Sequence, residues 1–139
     1  LAEYAQATLK DIGIDVQVNN TSDHRTFAEN GDFDVYVSST TTAPTGDPEY
    51  FFTSTVVGSK NYGKYQNDEV TKLTEKLHQT FDKDERGKLA VELQQDILVD
   101  DAFFFVSHLN MGIVTKSNVK RMAAHPCDYY EITADLDVE

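Results

Sequence analysis

The sequence predicts an α/β protein in which helices cover both faces of a mixed sheet, a three-layer sandwich. Segments with the helical period of about 3.6 residues alternate with short segments whose apolar residues fall at every second position. A pair of consecutive helices interrupts this alternation near the middle of the chain. The length of 139 residues suits one compact domain, so we expect a single α/β domain over residues 1–139.

The first part of the chain predicts a helix and two strands. Apolar side chains form one stripe over residues 1–12, and Gly13 suits the position after a helix, where a positive φ is needed. Residues 14–18 (IDVQV) and 33–39 (FDVYVSS) alternate apolar and polar side chains, which is typical of strands. Gly31 turns the chain into the second predicted strand.

A loop rich in hydroxyl groups follows the second predicted strand. This threonine loop (residues 40–47, TTTAPTGD) ends at Asp47, and Pro48 comes next. Asp is a favoured N-cap and Pro a favoured first helical residue, so this pair predicts the start of a short helix. Residues 53–66 have no period and predict an irregular loop.

Two helices follow, and each has a capping residue and an apolar stripe. Asn67 is predicted to cap the first helix, and Asp82 with Glu85 predicts a capping box at the second. The predicted buried residues are Val70, Leu73, Leu77 and Phe81 in the first helix and Leu89, Ala90, Leu93, Ile97 and Leu98 in the second. A calcium-binding EF-hand loop from Asp82 is the alternative, but Leu93 stands where its carboxylate ligand is required.

The last part of the chain predicts two more strands and then a tail. The strands are residues 102–109 (AFFFVSHL) and 111–116 (MGIVTK). Because helical periodicity starts at the first residue, the chain reads as a piece of a longer protein. We expect the tail, residues 123–139, to pack toward the part that is missing.

Composition and charge exclude several functions. The net charge is −12, from 24 acidic and 12 basic residues, and such a surface repels nucleic acid. No apolar run approaches the roughly 20 residues that span a membrane, so any membrane anchor is expected to lie outside this sequence. The single cysteine, Cys127, cannot form an internal disulfide.

No sequence pattern indicates catalysis. A nucleophile elbow, a P-loop and a dinucleotide-binding glycine motif are absent, and the four histidines have no metal-ligand spacing. We therefore expect neither enzymatic activity nor a cofactor. His24 follows a predicted strand at its carboxyl end, and it is the candidate for a metal or ligand contact.

The threonine loop is the predicted ligand-binding site. Ligands of open α/β sheets gather beyond the carboxyl ends of strands, and the loop follows residues 33–39 at such an end. The predicted ligand-binding residues are Thr40, Thr41, Thr42, Thr45 and Asn61. The alternative is a turn that binds no ligand, because hydroxyl-rich loops are common.

The order of these motifs resembles one family of proteins. LAEYAQATLKDIGIDVQV, GDFDVYVSS and GDPEYFF are similar to segments in the C-terminal lobe of ABC-transporter solute-binding proteins of the peptide- and nickel-binding family, family 5. The helix pair resembles that family's Y-x-N-x-E-V-D-x-L helix and its D-x-x-x-R helix start. The resemblance implies one lobe of a periplasmic-binding-protein type II fold, with an N-terminal lobe missing.

The resemblance also implies a function. Such a protein binds a small solute between two lobes, here a nickel or other metal chelate or a short peptide, and delivers it to an ABC permease. The implied location is the periplasm or the cell surface, with a lipid anchor outside this sequence. The alternative is a ligand-sensing or interaction module of the same fold without a transport role.

The residues before the DP turn bear on the choice of solute. Many peptide-binding members carry W-x-A-D-Y there, and the Asp anchors the amino group of the peptide. In this sequence Thr41 and Pro44 stand at the Trp and Asp positions. APTGDPEYFF looks instead like the members that bind nickel or metal chelates.

Overall fold

The computed structural model describes residues 1–110, 112–122, 124 and 134–138. Its elements are, in chain order, α1 (Ala2–Lys10), α2 (His24–Asn30), α3 (Glu49–Phe51), α4 (Asp68–Gln79), α5 (Lys83–Val99), β1 (Val119–Lys120) and β2 (Asp137–Val138). One π-helical turn, Phe52–Val56, directly continues α3. No helix of the described part has the length and apolar content of a membrane span.

The chain divides into two compact units, Leu1–Ser39 and Thr40–Glu139. That residues 1–139 form one domain of a longer two-lobed protein stays a prediction. Residues 125–133, with Cys127, lie outside the described part, and so does most of the tail whose packing was predicted.

In the first unit, glycine ends both helices. Gly13 (φ 86°) and Gly31 (φ 77°) have left-handed backbone conformations, which glycine adopts without the steric penalty of a Cβ. The amide of Ile14 donates to the carbonyl of Leu9 over 3.0 Å, so the chain folds back over the last turn of α1. The predicted first helix and its glycine stop are confirmed over Ala2–Lys10.

The two strands predicted in the first unit are not observed. Residues 14–18 and 33–39 form no ladder with any other described residue. Their apolar side chains are largely exposed, and Val35 retains 80 % of its accessible surface. An alternating pattern determines which side chains share a face, but a strand also requires a neighbouring strand for its hydrogen bonds.

In the second unit, α4 and α5 form the predicted helical hairpin. Asn67 Oδ1 accepts hydrogen bonds from the amides of Glu69 (2.9 Å) and Val70 (3.2 Å), and Asp82 Oδ1 accepts one from the amide of Glu85 (2.9 Å). Asn67 and Asp82 are therefore confirmed as caps, but among the described residues the return bond of the predicted capping box, from the amide of Asp82 to the Glu85 side chain, is not observed. The core that the hairpin shares with α3 and the π-helical turn consists of Phe51, Phe52, Val56, Val70, Leu77, Leu89, Ala90, Leu93 and Ile97.

Two residues predicted to be buried in the hairpin are exposed. Phe81 retains 92 % of its accessible surface, because α4 ends at Gln79 and the helical stripe does not reach it. Leu98 retains 53 %, because it lies about 100° around the helix axis from Ile97 and this angle takes it off the core face. Both burial predictions are wrong.

The irregular loop predicted from residue 53 begins later than expected. The hydroxyl of Thr53 donates to the carbonyl of Glu49 (3.0 Å), and that of Ser54 to Tyr50 (2.6 Å), within the continuous helical turns of Phe52–Val56. Gly58 then lies against the backbone, where an added Cβ would be 2.0 Å from the carbonyl oxygen of Thr53.

The sheet is much smaller than predicted. Within the described residues it consists of β1 and β2, paired antiparallel with Val119 opposite Val138. No strand is observed over residues 102–109 or over 112–116, the described part of the other predicted strand. Helices are thus the main regular secondary structure of the described part, and the three-layer sandwich is not confirmed.

Candidate ligand-binding loop

The threonine loop is shaped by a turn and by one buried residue. The amide of Gly46 (φ 78°) donates to the carbonyl of Ala43 over 2.9 Å, and Pro44 is buried. The predicted ligand-binding threonines are the half-buried Thr41 and the exposed Thr40, Thr42 and Thr45. The loop therefore buries its proline and leaves three of its four threonines exposed to solvent.

Asp47 joins the end of the threonine loop to α3 and to α5. Its Oδ1 accepts a hydrogen bond from the amide of Glu49 (2.9 Å), as expected of a capping Asp, but α3 begins one residue later than predicted, with Pro48 rather than Asp47 at the N-cap position. Pro48 has helical dihedral angles (φ −71°, ψ −14°). Arg86 of α5 donates from Nε to Asp47 Oδ2 (3.0 Å) and from Nη2 to Oδ1 (2.6 Å), which makes a bidentate ion pair.

Arg86 has further partners on α3 and α4. Its Nη1 donates to the carbonyls of Leu77 (2.7 Å) and Thr80 (2.6 Å), at the C-terminal end of α4. Its Nη2 also donates to Glu49 Oε2 (2.7 Å). The Arg86 side chain is 14 % exposed, so a largely buried guanidinium is satisfied by two carboxylates and two carbonyls.

The carboxylate of Glu49 is shared between two partners. Glu49 Oε2 faces Arg86, and Oε1 lies 2.6 Å from Nδ1 of the exposed His78. The hydrogen bond from Arg86, and secondarily that from His78, lowers the pKa of Glu49. The hydrogen bond from Arg86 likewise lowers the pKa of Asp47, and both carboxylates raise the pKa of Arg86. The network is therefore held in its charged form.

Asn61, the other predicted ligand-binding residue, is engaged with the backbone. Its Oδ1 accepts from the amide of Tyr65 (2.9 Å), and its Nδ2 donates to the carbonyl of the same residue (2.8 Å). The hydroxyl of Tyr65 donates to Asp100 Oδ2 (2.5 Å) at the end of α5. Burial and the neighbouring Asp100 carboxylate raise the pKa of Tyr65 to about 12. Asn61 thus orders the loop that precedes α4, and its role toward a ligand stays a prediction.

His24, the candidate metal contact, lies in the first unit. It begins α2 rather than lying in a loop, and its Nδ1 is 2.8 Å from the hydroxyl of Tyr36. The two rings stack with centroids 6.0 Å apart. Within the described part of the chain, no three His, Cys, Asp or Glu side chains come together as metal ligands. The metal role of His24 stays a prediction.

A shallow acidic cleft of about 370 Å³ lies on the helical hairpin. It is lined by Asn67, Glu69, Leu73, Glu92, Asp96, Val99 and Asp100. Hydrogen bonds from Tyr65 and Asn67 lower the pKa of Asp100. None of the residues predicted to bind ligand lines this cleft.

Comparison with known families gives a match over the first part of the chain. Residues 1–63 match the family described as bacterial extracellular solute-binding proteins, family 5 Middle. The match covers slightly less than half of the chain and includes the threonine loop, Asp47 and Asn61. The resemblance predicted from the motifs is therefore confirmed over residues 1–63, which are similar to the family 5 solute-binding proteins.

The family that residues 1–63 resemble has general properties. Family 5 proteins are extracellular solute-binding components of ABC transporters, with a periplasmic-binding-protein type II fold and typically without enzymatic activity. Comparisons with curated proteins and with solved structures gave no match.

Sequence reasoning did not predict the network around Arg86. One signal was present, because Arg86 lies three, four and seven residues before Leu89, Ala90 and Leu93 and so continues the apolar face of α5. A charged residue on a buried face requires charged or hydrogen-bonding partners. The partners themselves, Asp47 and Glu49, are more than 35 residues away in sequence, and no local pattern identifies them.

Proposed function

We propose that this chain forms part of the solute-binding cleft of an extracytoplasmic binding protein, and that the threonine loop contacts the solute. The observation that carries this proposal is a set of accessible threonine hydroxyls on an anchored loop, within the residues that match the family. Each hydroxyl offers one donor and two acceptor lone pairs, so the loop suits a small polar solute.

The solute we propose is a nickel or other metal chelate rather than a free peptide. Pro44 is uncharged and buried, so position 44 offers no carboxylate for the amino group of a peptide. The hydroxyls of Thr41 and Thr45 would instead meet the oxygen and nitrogen atoms of a chelating ligand. Asn61 is a lesser contact, because both ends of its amide already bond Tyr65.

The mechanism we propose is closure of two lobes around the solute. Contacts from both lobes favour the closed state, and an ABC permease then recognises that state. In this account a second lobe and a lipid anchor belong to parts of the protein outside this sequence. The protein performs no chemistry on the solute.

The test is a pair of titrations on the complete gene product that carries this sequence. Thr41→Val with Thr45→Val removes two hydroxyls at nearly constant volume, and we expect nickel–histidine affinity to fall about tenfold or more. Thr115→Val is the matched control, because Thr115 is also exposed but lies far along the chain from the loop. A dipeptide titrated in parallel should bind more weakly than the chelate.

Two results would contradict the proposal. Unchanged chelate affinity in the double variant, with the fold intact, would show that the threonine loop is a turn without a ligand. Tighter binding of the dipeptide than of the chelate would reject the proposed solute while leaving the site in place.

A further inference from the structure

We propose that Arg86 is a positioning residue that determines the geometry of the threonine loop and, through it, solute affinity. This inference rests on the proposed function of the loop. Arg86 is on α5, well outside the residues that match the family, and it does not belong to the loop whose hydroxyls would touch the solute. It acts through Asp47, the last residue of the loop.

Arg86 itself is held by the core and by the C-terminal end of α4. Leu89 and Leu93 on the same face of α5 are at most 2 % exposed, so the helix that carries Arg86 is held by the core. The carbonyls of Leu77 and Thr80 accept from Nη1 and fix the plane of the guanidinium. The remaining donors, Nε and Nη2, are thereby aimed at the carboxylates of Asp47 and Glu49.

The threonine loop has few other restraints. The residues before it, 33–39, form no strand with any described residue, so no sheet fixes that end of the loop. Inside the loop, the turn from Gly46 to Ala43 and the burial of Pro44 order the residues next to Thr45. The bidentate pair between Asp47 and Arg86 therefore fixes the loop to the helical hairpin.

This positioning role requires an arginine. Only a planar guanidinium can donate to both oxygens of Asp47, to Glu49 and to two carbonyls at once. A lysine keeps the positive charge but has three donors on one nitrogen, so it cannot satisfy both groups of partners. Arg86→Lys therefore separates geometry from charge.

The first measurement is amide hydrogen exchange in the complete gene product, which needs no ligand. In Arg86→Lys, the amides of Gly46 and Glu49 should exchange about tenfold faster, while that of Leu93 stays protected in the core. Asn67→Ala is the matched control, because it removes the cap of α4 without touching the loop. If Arg86→Lys does not fold, Asp47→Asn weakens the same pair from the loop side.

The second measurement is the affinity for nickel–histidine in the same variants. We expect Arg86→Lys to weaken binding about tenfold, because the less restrained loop must be ordered when the solute binds, and this ordering reduces the binding free energy. We expect Asn67→Ala to leave the affinity unchanged. Loop exchange that does not differ from wild type overturns the positioning role. Faster loop exchange with unchanged affinity overturns its link to the solute.

The two proposals fail differently. If the wild-type protein binds neither nickel–histidine nor a dipeptide, the proposed function is rejected for these solutes, and the exchange data alone decide whether Arg86 positions the loop. If the threonine variants lose affinity but Arg86→Lys does not, the proposed function stands and the role of Arg86 is rejected.

Discussion

The helical hairpin and the first unit differ in whether their predicted apolar pattern is buried. In α4 and α5 the apolar stripe is buried, and Val70, Leu77 and Leu93 have no accessible surface. In residues 14–18 and 33–39 the alternating apolar side chains remain exposed. A helix satisfies its own backbone hydrogen bonds, whereas a strand depends on partners that lie elsewhere. Apolar side chains are therefore buried where the chain supplies both the apolar pattern and a neighbouring element against which it packs.

The largest effect that tests this comparison is loss of a hairpin core side chain. Leu93→Ala should lower the free energy of unfolding by about 3 kcal/mol, because it removes buried methyl groups and leaves a cavity. Val35→Ala is the matched control, since Val35 is 80 % exposed, and it should change stability by less than about 0.5 kcal/mol. Urea denaturation measures both. A larger loss from Val35→Ala would mean that the first unit buries this side chain in solution.

A smaller effect is expected where the chain leaves the π-helical turn. Gly58→Ala should cost about 2 kcal/mol, because its Cβ would be 2.0 Å from the carbonyl oxygen of Thr53 and the backbone must shift. Gly63→Ala is the control, since no atom lies within 4 Å of a Cβ added there. Thermal melting of the two variants checks this. Equal melting temperatures would show that the turn adjusts freely.

The helix caps of the second unit can be predicted from local sequence, whereas contacts between residues far apart in the chain cannot. Asn67 and Asp82 cap α4 and α5 because a capping bond spans only two or three residues. The partners of Arg86 come from a loop about 40 residues earlier, so only the folded chain brings them together. Accessible hydroxyls in the threonine loop were predictable from composition, but the restraint of the loop by Arg86 was not.

The ion pairs of Arg86 with Asp47 and Glu49 make the free energy of unfolding depend on pH in the acid range. The pKa values of Asp47 and Glu49 are lowered in the folded protein from their ordinary values of 3.8 and 4.5. The unfolded chain therefore binds more protons near these values, so the stabilisation is complete above about pH 5 and is lost as the pH falls through the lowered pKa values. We expect a loss of about 1 kcal/mol, since the Asp47 side chain is 42 % exposed.

Urea denaturation between pH 6 and pH 3 measures this dependence. Glu49→Gln should be less stable at pH 6 and should lose less stability on acidification, because the variant side chain cannot titrate. Glu92→Gln is a suitable control, since Glu92 is exposed, lies on α5 and is outside the network. Parallel pH profiles for wild type and Glu49→Gln would show that the network contributes nothing to acid sensitivity.

The smallest effect concerns the cap of α5. Asp82→Ala should lower the free energy of unfolding by about 1 kcal/mol, because the amide of Glu85 loses its acceptor and the negative charge at the helix N-terminus is removed. Asp84→Ala is the control within the same turn, since it keeps the capping bond and removes a similar charge. If the melting temperature of the wild type rises with added Ca²⁺ and this rise disappears in Asp82→Ala, Asp82 binds calcium and the capping interpretation is incomplete. Equal losses in the two variants would assign the effect to charge at the helix terminus rather than to the hydrogen bond.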